Sequence, residues 1–101
     1  MRSVDELSDV SQQVSDIYAS RFGIERDAVW HMAKLSEELG ELQAAYLKLN
    51  GQGRTEASAD ALRGALEDEV ADVFAQILLF ARWQQIDIPE AVMRKWGQYL
   101  K

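Results

Sequence analysis

Glu37, Glu38 and Glu41 stand within one helical turn of each other, and Glu69 and Asp72 repeat the three-residue spacing further along the chain. On a helix those spacings put carboxylates side by side, which costs stability unless something offsets the repulsion. At about 100° per residue from Leu35, the apolar stripe of that segment lies within about 40° of zero, with Glu38 near about 300° and Glu41 near about 240°. Both border the core side. The same count from Leu62 puts Glu69 near about 340°, inside its apolar stripe, Gln76 near about 320° and Asp72 near about 280°. A carboxylate turned toward a neighbouring helix needs a cation or a basic partner, because an unpaired buried charge is expensive. Lys34, Arg63 and Arg82 are the bases at hand, too few for the acids that converge. A hard divalent ion such as Mg²⁺, which takes oxygen ligands, fits better. A di-iron bundle would need a histidine three residues after a helix glutamate on each of two helices. The one histidine, His31, lies six residues before Glu37.

Four helices are expected to position these residues. Val4, Leu7, Val10, Val14 and Ile17 recur at three- and four-residue intervals, predicting a first helix from Val4 to near Gly23. The second starts between residues 25 and 27, carries Leu35, Leu39, Leu42, Tyr46 and Leu49, and stops before Asn50-Gly51-Gln52-Gly53. The third runs from about Ser58 to Gln85 with Leu62, Leu66, Val70, Val73, Ile77 and Phe80 on one side and Gly64 as a weak point. Its second apolar side, at Phe74, Leu78 and Ala81, is expected to meet a partner. Pro89 opens a fourth helix that carries Val92, Met93, Trp96 and Leu100. One proline, six glycines and no strand signal predict an all-α, four-helix bundle-like fold, a single domain over residues 1–101. Two-fold symmetry being the common solution, the expected assembly is a homodimer or homotetramer.

Eleven basic against 17 acidic residues give a net charge of −6. No Lys/Arg patch is available to neutralise a run of phosphates, which sets the chain against duplex nucleic acid. A free nucleotide is a different case, since a bound cation reverses the sign of an acidic site. No cysteine is present, so disulfides and thiolate metal sites are excluded. The polar start and the lack of any long apolar run predict no membrane span and a cytoplasmic location.

Glu37-Glu38-Leu39-Gly40-Glu41-Leu42 followed by Glu67-Asp68-Glu69-Val70-Ala71-Asp72-Val73 resembles the MazG-like, all-α nucleotide pyrophosphohydrolases over roughly residues 25 to 101. The resemblance implies Mg²⁺- or Mn²⁺-dependent cleavage of a (deoxy)nucleoside triphosphate between the α and β phosphates, giving monophosphate and pyrophosphate. It implies Glu38, Glu41, Glu69 and Asp72 as metal ligands, with Glu37 a further ligand or the group that orients and deprotonates the attacking water. Lys34 and Lys95 are expected to hold the outgoing pyrophosphate as point charges, and Trp30 to stack a base.

Acid runs on helices are usually solvated faces, and that reading stands for Glu37 taken alone and for Glu67 and Asp68. Aromatics at helical spacing are more often packing than cofactor contacts, which covers Phe80, Trp83 and Trp96. His31 is expected at the surface or an interface, and Gln76 to bond a ligand carboxylate or to satisfy a buried polar group. Two alternatives stay open: a non-enzymatic metal-binding helical oligomerisation module, and a relative acting on another pyrophosphate such as phosphoribosyl-ATP or dUTP.

Overall fold

The computed structural model describes residues 2–100. The elements are α1 (Val4–Phe22), α2 (Ala28–Leu49), α3 (Ala59–Trp83) and α4 (Ile88–Lys95), then a 3₁₀ turn at Gly97–Tyr99, with no strand among the described residues. Each helix begins at a residue whose side chain accepts from an otherwise unsatisfied backbone N–H. Ser3 accepts from Glu6, Asp27 from Trp30, Ser58 from Ala61 and Asp87 from Glu90. Such caps contribute about 1 kcal/mol each.

Gly23, at φ +62°, closes α1 in the left-handed conformation, and the Ile24 N–H donates to the Ala19 carbonyl. Gln85, at φ +58°, closes α3 the same way, with the Ile86 N–H donating to Ala81. No glycine marks that second stop, which is why the periodicity carries helix three to residue 85 when it ends at Trp83. Gly64 does not interrupt α3.

The chain forms two compact units, one of residues Glu25–Gln76 and the other joining the segment up to Ile24 with that from Ile77 onward. In the first, the less exposed residues of α2 are Trp30 at its start and then His31, Lys34, Leu35, Glu38, Leu42, Ala45 and Leu49. Leu39 and Tyr46 are about half exposed. The covered face is therefore turned by about 50° from the centre of the apolar stripe, toward Glu38. On α3 the covered positions Leu62, Leu66, Glu69, Val73 and Gln76 follow the expected stripe, while Val70 is exposed.

In the second unit, Leu78 and Ala81 are among the most covered residues, at 2% and 5% exposure. Sequence periodicity assigned them, with Phe74, to a side that meets a partner; Leu78 and Ala81 are covered within the chain, while Phe74 is 40% exposed. On α1 the pattern inverts. Val4, Ser8, Ser11, Gln12, Ser15 and Ala19 are the less exposed positions, and Leu7, Val10, Val14 and Ile17 face outward. The helix is amphipathic as expected, with its apolar side uncovered.

Candidate metal centre

α2 brings Glu38 and Glu41 into the first unit and α3 brings Glu69 to meet them. Each offers a carboxylate oxygen, and the three oxygens lie within 4.8 Å of one another. Glu38 sits eleven residues before the last residue of α2, and Glu69 ten after the first of α3, so the chain returns through the 50–58 loop and faces one acid with the other.

Burial raises the Glu38 pKa above the ordinary value, the charges of Glu41 and Asp72 add to the rise, and Lys34 opposes it. Glu69 is raised by desolvation first, then by Glu41, Asp72 and Asp68. The side chain of Glu41 interacts with both carboxyls and adds to the rise of each. Even so, Glu38 Oε2 and Glu69 Oε2 are shielded from solvent and have no hydrogen-bond partner among the described residues. Two orphaned anionic oxygens beside a third carboxylate are what a cation would satisfy.

Asp72 is exposed and stands outside the close set of three. Its charge nevertheless acts on both Glu38 and Glu69. Glu37 is turned outward, its side chain 54% exposed, and pairs with Lys34 at 3.1 Å. Lys34 lies 3.8 Å from Glu38 as well. Burial alone would lower the Lys34 pKa, and the carboxylates of Glu37, Glu38 and Glu41 outweigh it, so the ammonium is held more firmly protonated.

Trp30 is half-buried, with its ring edge-on to that of His31 at 4.9 Å between centroids. Gln76 Oε1 is a further shielded atom without a hydrogen-bond partner among the described residues. Lys95 lies on the last turn of α4, in the other unit, and is exposed.

Two expectations need correction. His31 is buried at 6% exposure and is not a surface group; one turn ahead of Leu35, it lies on the covered face. Burial lowers its pKa, the Arg26 charge adds to that, and Asp27 partly offsets both. Arg82 and Arg63 are engaged with other acids: Arg82 donates to Asp9 at 2.8 Å and to Ser8 at 3.3 Å, and Arg63 pairs with Glu67 at 3.8 Å. Lys34 is the base that the structure places against the cluster, and the acids outnumber it. A cavity of about 360 Å³ is lined by second-unit residues including Ser8, Arg82, Gln85 and Ile86, and by none of the clustered acids.

The donor set is entirely hard oxygen, with no thiolate and no imidazole among the three clustered side chains. That chemistry suits Mg²⁺ or Mn²⁺ over softer metals. Among the described residues, no helix is long and apolar enough to cross a membrane.

Neither the comparison with curated proteins nor that with solved structures gave a match. A family model for the MazG nucleotide pyrophosphohydrolase domain matches residues 4–98, so helix one, which the acidic motifs left out, falls inside the matched region. With nearly the whole of its length matched in this way, and its acids gathered from two helices, the chain belongs to the MazG nucleotide pyrophosphohydrolase domain family.

Proposed function

We propose that this chain is a Mg²⁺-dependent nucleoside triphosphate pyrophosphohydrolase that cleaves (d)NTP between the α and β phosphates to monophosphate and pyrophosphate. The observation that carries the reading is the pair of shielded, unpartnered oxygens on Glu38 and Glu69 beside Glu41. Glu38, Glu41, Glu69 and Asp72 would hold the metal, with Mn²⁺ an acceptable substitute. When bound, it would polarise the phosphoryl oxygens and lower the pKa of a water.

The protein's own part is positioning and charge. Glu37, exposed at the edge of the cluster, is free to exchange its Lys34 contact for a water and so to orient and deprotonate the nucleophile, or to serve as a further ligand. Lys34, kept protonated by its acidic neighbours, would meet the leaving pyrophosphate as a point charge. We assign the same role to Lys95, and to Trp30 the stacking of a base. Two or four copies would assemble into the working enzyme in the cytoplasm. The net charge of −6 disfavours duplex nucleic acid as a partner.

The test is pyrophosphate release from a mixture of NTPs and dNTPs with Mg²⁺, with Glu38→Gln as the paired control. Release by the wild type alone supports the reading. Metal binding without release from any triphosphate would sink it and favour the non-enzymatic module. Turnover confined to phosphoribosyl-ATP or dUTP would keep the chemistry and replace the substrate.

A further inference from the structure

The cavity of about 360 Å³ is lined wholly by the unit that joins the segment up to Ile24 with that from Ile77 onward, and it shares no residue with the acid cluster. Its volume is at the small end of the roughly 300–1,000 Å³ usual for small-molecule sites. Leu78, Ala81 and Ile88 give it an apolar lining, and Arg82, Gln85 and Asp5 bring polar groups to it. Gln85 is the one non-glycine among the described residues with a positive φ, +58°. Gly23 closes α1 in the same conformation with no side chain at all. The backbone geometry by itself therefore calls for glycine, and a glutamine there costs stability. A strained residue kept at the wall of a cavity points to a use for its side chain.

Arg82 supplies a fixed pair of donors. Its Nη1 donates to Asp9 at 2.8 Å and to Ser8 at 3.3 Å, which holds the guanidinium plane and leaves Nε and Nη2 side by side for another acceptor. The Asp9 carboxylate already balances the Arg82 charge, and Asp5 and Asp87 make the rest of the wall negative. A phosphate or carboxylate would be repelled there. The ligand that fits is uncharged, with a ring for the apolar lining, acceptors on one edge and a donor on another. Guanine has that pattern: O6 and N7 accept together, the pair that arginine reads bidentately in duplexes, and the N2 amino group donates from a different edge. Asp87 is engaged as the cap of α4, accepting from the Glu90 N–H, so Asp5 is the carboxylate left to accept from that amino group. We propose that the cavity is a binding site for a guanine nucleoside, with Arg82 meeting O6 and N7, Asp5 the amino group, and Gln85 adding a further amide contact. This inference does not depend on the hydrolytic reading.

The probe is guanosine, which carries no phosphate, added to the full chain in EDTA so that metal at the acid cluster plays no part. Equilibrium dialysis measures binding, and thermal melting measures the stabilisation that binding confers. Guanosine should bind and raise the melting temperature. Adenosine should bind about tenfold more weakly or worse, because its amino group stands where the O6 acceptor is needed. Arg82→Met should lose about tenfold or more of the guanosine affinity, the same scale of loss as for that acceptor. Gln85→Gly should also weaken guanosine, yet melt no lower than the wild type without ligand, since glycine adopts the left-handed backbone freely. That variant keeps the test decisive should Arg82→Met fold poorly. No guanosine binding at millimolar concentration would overturn the proposal, as would equal affinity for the two nucleosides. Wild-type affinity in both variants would overturn it too, and place the nucleoside elsewhere on the chain.

Discussion

Glu38 and Glu69 are held on different helices, yet present carboxylate oxygens within 4.8 Å of each other, each with its second oxygen shielded and unpartnered. Without a cation this arrangement opposes folding, since burial and the charges of Glu41 and Asp72 act in the same direction on both groups. Glu69→Gln should therefore raise the melting temperature of the metal-free chain at neutral pH and remove most of the added stability that Mg²⁺ confers. For the wild type, a ligand at a hundred times its Kd adds about 2.7 kcal/mol. Calorimetry with and without Mg²⁺ reads both effects; a metal-free Glu69→Gln chain that melts lower would mean that the carboxylate is satisfied by the protein.

The raised pKa values also give a pH dependence. Between the ordinary glutamate value of 4.5 and the raised folded values, the folded chain binds more protons than the unfolded one. Stability contributed by these groups thus falls as pH rises through that window. His31, whose pKa is lowered from 6.5, acts oppositely just below that value. The difference between wild type and a Glu38→Gln, Glu69→Gln double variant isolates the acids, and should grow in the variant's favour from mildly acidic to neutral pH. A difference flat in pH would contradict the shifts, and saturating Mg²⁺ should remove the part of the wild type's slope that the acids contribute.

For turnover, Glu38→Gln, Glu41→Gln and Glu69→Gln should each lower kcat/KM by about a hundredfold or more, the usual scale for losing a group that stabilises transition-state charge. Asp72→Asn acts on the same pair electrostatically and should follow them. Initial rates of pyrophosphate release are the measurement, and wild-type rates in the Glu38 or Glu41 variant would remove those residues from the site.

These residues illustrate what the chain's letters reveal. Helix starts are legible because a serine or aspartate caps each one, and Gly23 announces the end of α1. The end of α3 is hidden because Gln85 occupies a left-handed position where glycine would be expected. The acids on both helices stand out by their angle to the apolar stripe, but the stripe of α2 misplaces the covered face. Leu39 and Tyr46 are half exposed and His31 is buried, so Glu38 lies near the middle of that face and not at its border. That rotation depends on what α2 packs against, which a single helix's periodicity does not encode. Likewise Arg82 lies on the same helix as Glu69, and only the fold shows it bonded to Asp9.

Arg82→Met should accordingly leave Mg²⁺ affinity unchanged. Its ion pair with Asp9 is exposed on both sides, 45% and 61%, and such pairs contribute about 0–1 kcal/mol. Isothermal titration of Mg²⁺ into the variant checks this, and a several-fold change in affinity would return Arg82 to the neighbourhood of the acids.

Asp27→Ala removes the acceptor for the Trp30 N–H at the start of α2 and should cost about 1 kcal/mol. Asp27→Asn or Asp27→Ser should restore most of it. Chemical denaturation resolves the series, and an alanine variant as stable as wild type would show that the cap does not hold the helix start.

The all-carboxylate composition of the cluster has a bearing on chemical durability. Oxidants that destroy metal centres commonly do so by converting thiolates to sulfinic or sulfonic acids, a route closed to a set of glutamates. Peroxide would find its targets at the exposed thioethers of Met32 and Met93, outside the donor set. An ion lost from the cluster under such conditions could be replaced simply by resupplying it, with no reductant needed to repair the ligands.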